Sequence, residues 1–183
     1  MAIAGVIQVM MICFPILPLQ AGRIASSPTA SHRECGLAPD ISASPQLPPN
    51  ISAPRYMYPV INRMLKKSAT FREQCKKIGN SRKLRVTLLL VPPNTPHTYR
   101  AISRVRGDEE RNIWITIELT ACTNYFELLG HEFEHAAEQA EGLNLRVLSA
   151  QRNSHVYKLD DGSFETDRAV DAGRSVEREC SLK

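Results

Sequence analysis

Gly130-His131-Glu132-Phe133-Glu134-His135 is the stretch on which the reading of this chain turns. It sits inside a run, 125–141, whose apolar residues recur at helical spacing. On a helix, residues four apart lie one above the other on the same face, so His131 and His135 can present two imidazole nitrogens to one metal ion. Glu132 lies beside them, where a carboxylate can take a proton from a water molecule. The pattern needs a third ligand, a floor to hold it and a partner strand or helix on the other side.

Working outward, Phe126, Leu129, Phe133, Ala136, Ala137 and Ala140 form the apolar stripe of this helix. They leave His131, Glu132 and His135 toward a second side, predicted to be the floor of a cleft. Asn124 and Glu127 have capping-box spacing and predict the start of the helix, and Gly142 ends it. Immediately upstream, Ile113–Leu119 alternates with a period of two and predicts a half-buried strand. A second strand is expected over 84–91, stopped by Pro92-Pro93, and 94–110 between the two reads as polar and irregular with a turn at Gly107-Asp108.

Further back, 56–67 predicts a helix with Val60, Ile61, Met64 and Leu65 inward. Thr70-Phe71-Arg72-Glu73 has the capping-box spacing for another, ended by Gly79. Downstream, 144–158 fits neither template, Asp160-Asp161-Gly162 is a turn, and Ser163 is placed to cap a last helix over 164–180. The mixture of a few strands with segregated helices points to an α+β domain.

The chain has 183 residues and 43% hydrophobic content, enough for one core. The balance of 23 Lys and Arg against 19 Asp and Glu gives +4, spread without a block of like charge or interleaved aromatics. That pattern predicts no nucleic-acid partner. Cys13, Cys35, Cys75, Cys122 and Cys180 are scattered, with no C-x-x-C and none beside the histidine pair, so the cysteines are not a metal knuckle. Buried free thiols and two bridges in an oxidising compartment both remain open.

Residues 1–22 are apolar and uncharged, and read as a signal peptide or an N-terminal membrane anchor. Residues 23–54, rich in Pro and Ser, read as a linker unable to bury enough surface to offset its ordering entropy. The folded domain is then expected over 55–183, with an extracytoplasmic location, periplasmic or secreted, and N-terminal membrane association as the variant. Oligomeric state is left open by the sequence.

For the third ligand, the acids and histidine downstream of His135 are Glu138, Glu141, His155, Asp160, Asp161, Glu165, Asp167 and Asp171. Glu138 rides the same helix one turn on and is expected to point away from the ion. The H-E-F-E-H-A-A-E run, followed by Phe164-Glu165-Thr166-Asp167-Arg168-Ala169, resembles the gluzincin metallopeptidases. It is closer still to small bacterial compact zincin proteins with an F-E-T-x-x-A segment. The resemblance spans roughly 84–180.

It implies one zinc ion held by His131, His135 and Glu165, with Glu165 on a C-terminal helix, and Glu132 as general base. It also implies a small sheet whose edge strand, identified with Ile113–Leu119, pairs with an extended peptide or protein substrate. Asp167 or Asp171 would orient the ligands, and His155, Tyr157 and Arg168 are candidates to stabilise the transition state. The expected activity is zinc-dependent peptide hydrolysis, with a zinc-binding scaffold of little or no turnover, acting as a binding or regulatory module, as the alternative.

Overall fold

Leu84, Val86 and Leu88 alternate with Arg85, Thr87 and Leu89, and that period of two builds the first long strand of the sheet. The computed structural model describes residues 10–11, 43–91, 99–107, 112–120 and 124–181. The expected leader or anchor, apart from 10–11, most of the linker, and Cys13, Cys35 and Cys122 lie outside the described residues. The elements in chain order are β1 (Met10–Met11), β2 (Ile51–Ser52), a 3-10 turn at Arg55–Met57, α1 (Tyr58–Lys67), α2 (Ala69–Asn80), β3 (Leu84–Leu90), β4 (Ala101–Gly107) and β5 (Ile113–Leu119). They continue with α3 (Tyr125–Ala140), α4 (Leu145–Leu148), β6 (Val156–Lys158), β7 (Phe164–Thr166) and α5 (Asp167–Ser181).

The result is an α+β domain: a five-stranded mixed sheet in the order β1-β4-β5-β3-β2, and a separate β6–β7 hairpin. β3 runs parallel to both β2 and β5, and β4 runs antiparallel to β5. β5 is therefore an interior strand, not the expected edge. Alternation in a sequence reports that one face of a strand is buried, but it carries no information about what lies beside the strand. The outer side of β4 is partnered by β1 at Ser103 and Arg104.

β4 itself falls in the segment expected to be irregular. Arginines at 104 and 106 mask an alternation in which Ala101, Ser103 and Val105 share one face. Gly107, at φ 108°, ends the strand in a conformation that favours glycine.

The helical layer is centred on α3, which is buried from Leu128 to Glu138. Phe133 packs on Phe71 of α2 with ring centroids 4.8 Å apart, a tilted pair at the middle of the core. α5 lies close along α3 because two glycines face the contact. A Cβ on Gly173 would fall 2.8 Å from the Glu127 carbonyl oxygen, and one on Gly130 would fall 2.7 Å from Val176 Cβ.

Several helix starts differ from expectation. Ser68, not Thr70, caps α2, accepting a hydrogen bond from the Phe71 amide at 2.9 Å. Ser68 and Thr70 both donate hydroxyls to Glu179 of α5, a tertiary contact that local spacing cannot foresee. Asn124 makes no capping bond; at φ 54° it donates its side-chain amide to Glu127 and Glu177. Phe164–Thr166 forms a strand, so the last helix begins at Asp167.

The domain also reaches back before residue 55. Asn50 is buried and its amide nitrogen approaches the carbonyl oxygens of Ile78, Ser81 and Leu84 at 2.8–3.1 Å. Cys75 and Cys180 are buried free thiols. Among the described residues no helix is long and apolar enough to cross a membrane.

Candidate metal centre

α3 places His131 and His135 one turn apart on one face, as the helical period requires. Their Nε2 atoms face each other at 3.1 Å. Glu165 reaches the same point from β7, its Oε1 lying 3.5 Å from each of the two Nε2 atoms. The expected three ligands thus converge, but the third comes from a strand rather than from a helix. An ion bonded tetrahedrally at about 2.0–2.2 Å keeps its ligand atoms roughly 3.3–3.6 Å apart; the two 3.5 Å separations match this and the 3.1 Å histidine pair is slightly tighter, so the three groups could hold a metal ion.

Burial surrounds the triad. His131 is 3% exposed, Glu132 1% and His135 2%, while the Glu165 side chain is 16% exposed. The predicted cleft floor is therefore a mostly closed site, opened chiefly on the Glu165 side. α3 is covered nearly all round because α2, α5 and β4 pack against it in addition to the apolar stripe.

The helix face carries more than the motif. Glu138 is directed away from the point where the three groups meet, as expected, but it stays against the site: its Oε2 lies 2.8 Å from His135 Nδ1, and it is 1% exposed. This contact makes Nδ1 the donor, so that once Nε2 gives up its own proton, its lone pair faces the point where His131 and Glu165 meet. The other Glu138 oxygen accepts the Thr166 hydroxyl at 2.7 Å, and that hydroxyl oxygen accepts the Ala169 amide at 3.0 Å. Within this segment Glu165 reaches the histidine pair, Thr166 opens α5 and buttresses Glu138, and Ala169 is fully buried.

Asp167 and Asp171, expected to orient the ligands, do neither. Asp167 pairs with exposed His155 at 2.8 Å and accepts the Tyr157 hydroxyl at 3.2 Å, and Asp171 is exposed beside Arg174. His155 and Tyr157 stand on the β6–β7 hairpin, with Tyr157 directly opposite Glu165. Arg168 is engaged by Glu134 and Glu141.

Glu134 is buried, accepting Gln74 Nε2 at 2.8 Å and Arg168 Nε at 2.5 Å. Gln74 also donates to the Gly130 carbonyl at 2.7 Å, so α2 braces the start of the motif.

The electrostatics favour a cation. Burial, reinforced by the neighbouring His135, pushes the His131 imidazole well below its usual range. For His135 burial acts the same way, but hydrogen bonds to Glu138 and Glu165 and the charges of Glu138 and Glu132 outweigh it, raising the group to about 10. Burial lifts the Glu132 carboxyl to about 7, against the lowering effect of His135 and of a hydrogen bond from Ser103, with Glu165 adding to the rise. Carboxylates crowded around two imidazoles hold a positive charge there, and a divalent ion meets that demand with its own bonds.

No protein-family model, no curated protein and no solved structure matches the chain.

Among the described residues, His131, His135 and Glu165 are the group that could hold an ion, with ligand atoms within 4.8 Å of one another. Glu138 and Ser103 are the functional neighbours that sequence reasoning missed. Glu138 is four residues from Glu134 and three from His135, so its place on the histidine face was available from helical spacing. Ser103 was visible only as a hydroxyl in a run of 94–110 not recognised as strand.

Proposed function

We propose that this chain is a zinc-dependent peptidase in which Glu132 is the general base. The observation that supports this most is the convergence of His131, His135 and Glu165 at 3.1–3.5 Å, with the Glu132 carboxyl near enough to feel the charges of His135 and Glu165. Bound at this point, zinc would supply a Lewis acid and make water ionisable near neutral pH.

The chain's own groups supply the rest. Glu132 accepts a proton from the attacking water as its oxygen bonds to the scissile carbonyl carbon. It then delivers that proton to the amine nitrogen as the C–N bond breaks, leaving a carboxylate and a free amine. Burial favours this role, because a carboxyl with a raised value both accepts and returns a proton without large cost. The apolar leader expected over 1–22 supports action outside the cytoplasm.

A second reading, a zinc-binding scaffold without turnover, is favoured by the near-complete burial of Glu132 and both histidines. The two separate in a paired assay on the full chain. Wild type should hold about one zinc per chain and cleave members of a quenched-fluorescent peptide library. Glu132→Gln should keep the metal and lose cleavage, and His131→Ala should lose both. Zinc retention with no cleavage by wild type would establish the scaffold instead.

A further inference from the structure

The inward-facing rows of β3, β4 and β5 are apolar, carrying residues such as Val86, Leu88, Val105, Ile115 and Ile117, with one exception. Ser103 occupies the middle inward position of β4, directly opposite Ile117, and is 1% exposed. A hydroxyl buried in such a row is destabilising unless it finds a partner. Its partner is Glu132: Ser103 Oγ lies 2.5 Å from Glu132 Oε2.

We propose that Ser103 is the positioning residue for Glu132: its hydroxyl clamps one carboxylate oxygen so that the other is aimed at the point where His131, His135 and Glu165 meet. The inference rests on the peptidase reading only for the reaction that Glu132 performs, not for the clamp. A glutamate on a helix has two staggered torsions and a broad terminal one to settle, and a base must stand within hydrogen-bond reach of the proton that it takes. α3 fixes only where the Glu132 side chain begins. The sheet fixes where it ends, through a bond between residues 29 positions apart.

The two oxygens then have different duties. Oε2 is committed to the sheet, whereas Oε1 is left for the reacting proton. Ser103 is also the β4 residue at the side of the sheet where β1 pairs, so one residue carries both a strand-pairing backbone and the contact to the base.

The test uses the zinc-loaded full chain and acetohydroxamate, a small acid that coordinates zinc and gives its hydroxyl proton to a base beside the ion. Calorimetric titration should show that Ser103→Ala keeps its zinc stoichiometry but binds acetohydroxamate about tenfold or more weakly, the size expected from a lost bond to a charged group. Ser103→Thr, which retains the hydroxyl, should restore most of the affinity. Ser103→Cys keeps the volume while weakening the donor, and should repeat the loss if the alanine variant does not fold. In a Glu132→Ala background, Ser103→Ala should have no further effect on acetohydroxamate binding.

With any peptide that wild type cleaves, Ser103→Ala should lower kcat while leaving KM nearly unchanged. Wild-type hydroxamate affinity in Ser103→Ala, or an equal loss in the Glu132→Ala background, overturns the inference. A wild type that cleaves no peptide yet shows the Ser103 dependence of hydroxamate binding removes the peptidase reading and leaves the clamp standing.

Discussion

Thr166 donates its hydroxyl to Glu138 at 2.7 Å, and this bond ties the strand that carries Glu165 to the helix that carries the two histidines. Glu138 in turn holds His135 by Nδ1 at 2.8 Å. The two sources of ligand are thus locked in register by a side chain that touches no ion. Removing an orienting carboxylate from a metal-bound histidine commonly costs 10–100-fold in affinity. Glu138→Ala is therefore expected to weaken zinc binding by about that range, with Thr166→Val giving a smaller loss in the same direction. Competition against a chromophoric chelator measures both; unchanged affinity in Glu138→Ala would show that the buttress is idle.

Close packing of α3 on α5 leads to a second expectation. A methyl on Gly173 would stand 2.8 Å from the Glu127 carbonyl oxygen and 3.1 Å from His131 Cβ, so the helices must separate where a ligand side chain begins. Overpacking of this kind costs about 1–3 kcal/mol. Gly173→Ala should lower the urea midpoint and weaken zinc binding together, because the displaced atom belongs to His131. Loss of stability with zinc affinity intact would place the strain on the Glu127 side alone.

Asn50 offers a test of where the domain begins. Its amide serves carbonyls at the end of α2 and the start of β3, and its burial means that no water replaces it. Buried acceptors left without a donor cost about 1–3 kcal/mol. Asn50→Ala should therefore destabilise the full chain by that amount in denaturant titration, despite lying in a stretch whose composition reads as linker. A change within a few tenths of a kcal/mol would return residues 43–54 to the linker.

These cases show what was legible. Helix α3 and the histidine pair follow from a period of 3.6 and a spacing of four, and strand β5 follows from strict alternation; both are local properties of the chain. The convergence of Glu165 on that pair rested on resemblance and was met by the geometry, although Phe164–Thr166 is strand, because Ser163 and Glu165 offer a convincing local helix start that the pairing of β7 with β6 overrides. Strand β4 was hidden by its arginines, Ser68 by a capping box two residues on, and Glu138 by the assumption that a residue one turn beyond His135 leaves the site. Asn50 was hidden by the prolines around it. The pairing of β4, the Ser68–Glu179 contact and the Asn50 bonds involve partners far away in sequence, of which spacing within a segment holds no record, whereas Glu138, three residues from His135, was within reach of helical spacing.

Proton release on zinc binding tests the electrostatics of the centre. Without zinc, the His135 imidazole is raised to about 10 by Glu138 and Glu165 in spite of burial, whereas His131 is driven low and is neutral. The raised value means that the folded chain holds its His135 proton more tightly than the unfolded chain does. The stability it contributes is fully present below the ordinary value of 6.5 and is lost as pH rises through about 10. Zinc must displace that proton to use Nε2 or to re-form the neutral tautomer, so its affinity rises with pH across the same window. At pH 8 an unperturbed histidine would release almost nothing, but this one should release about one proton per ion. Calorimetry in buffers of different ionisation enthalpy counts the protons directly. Glu138→Gln, which removes a charge and keeps the shape, should bring the count down toward zero at the same pH. A wild-type count near zero would mean that the carboxylates do not charge His135, and that the centre selects its cation by geometry alone.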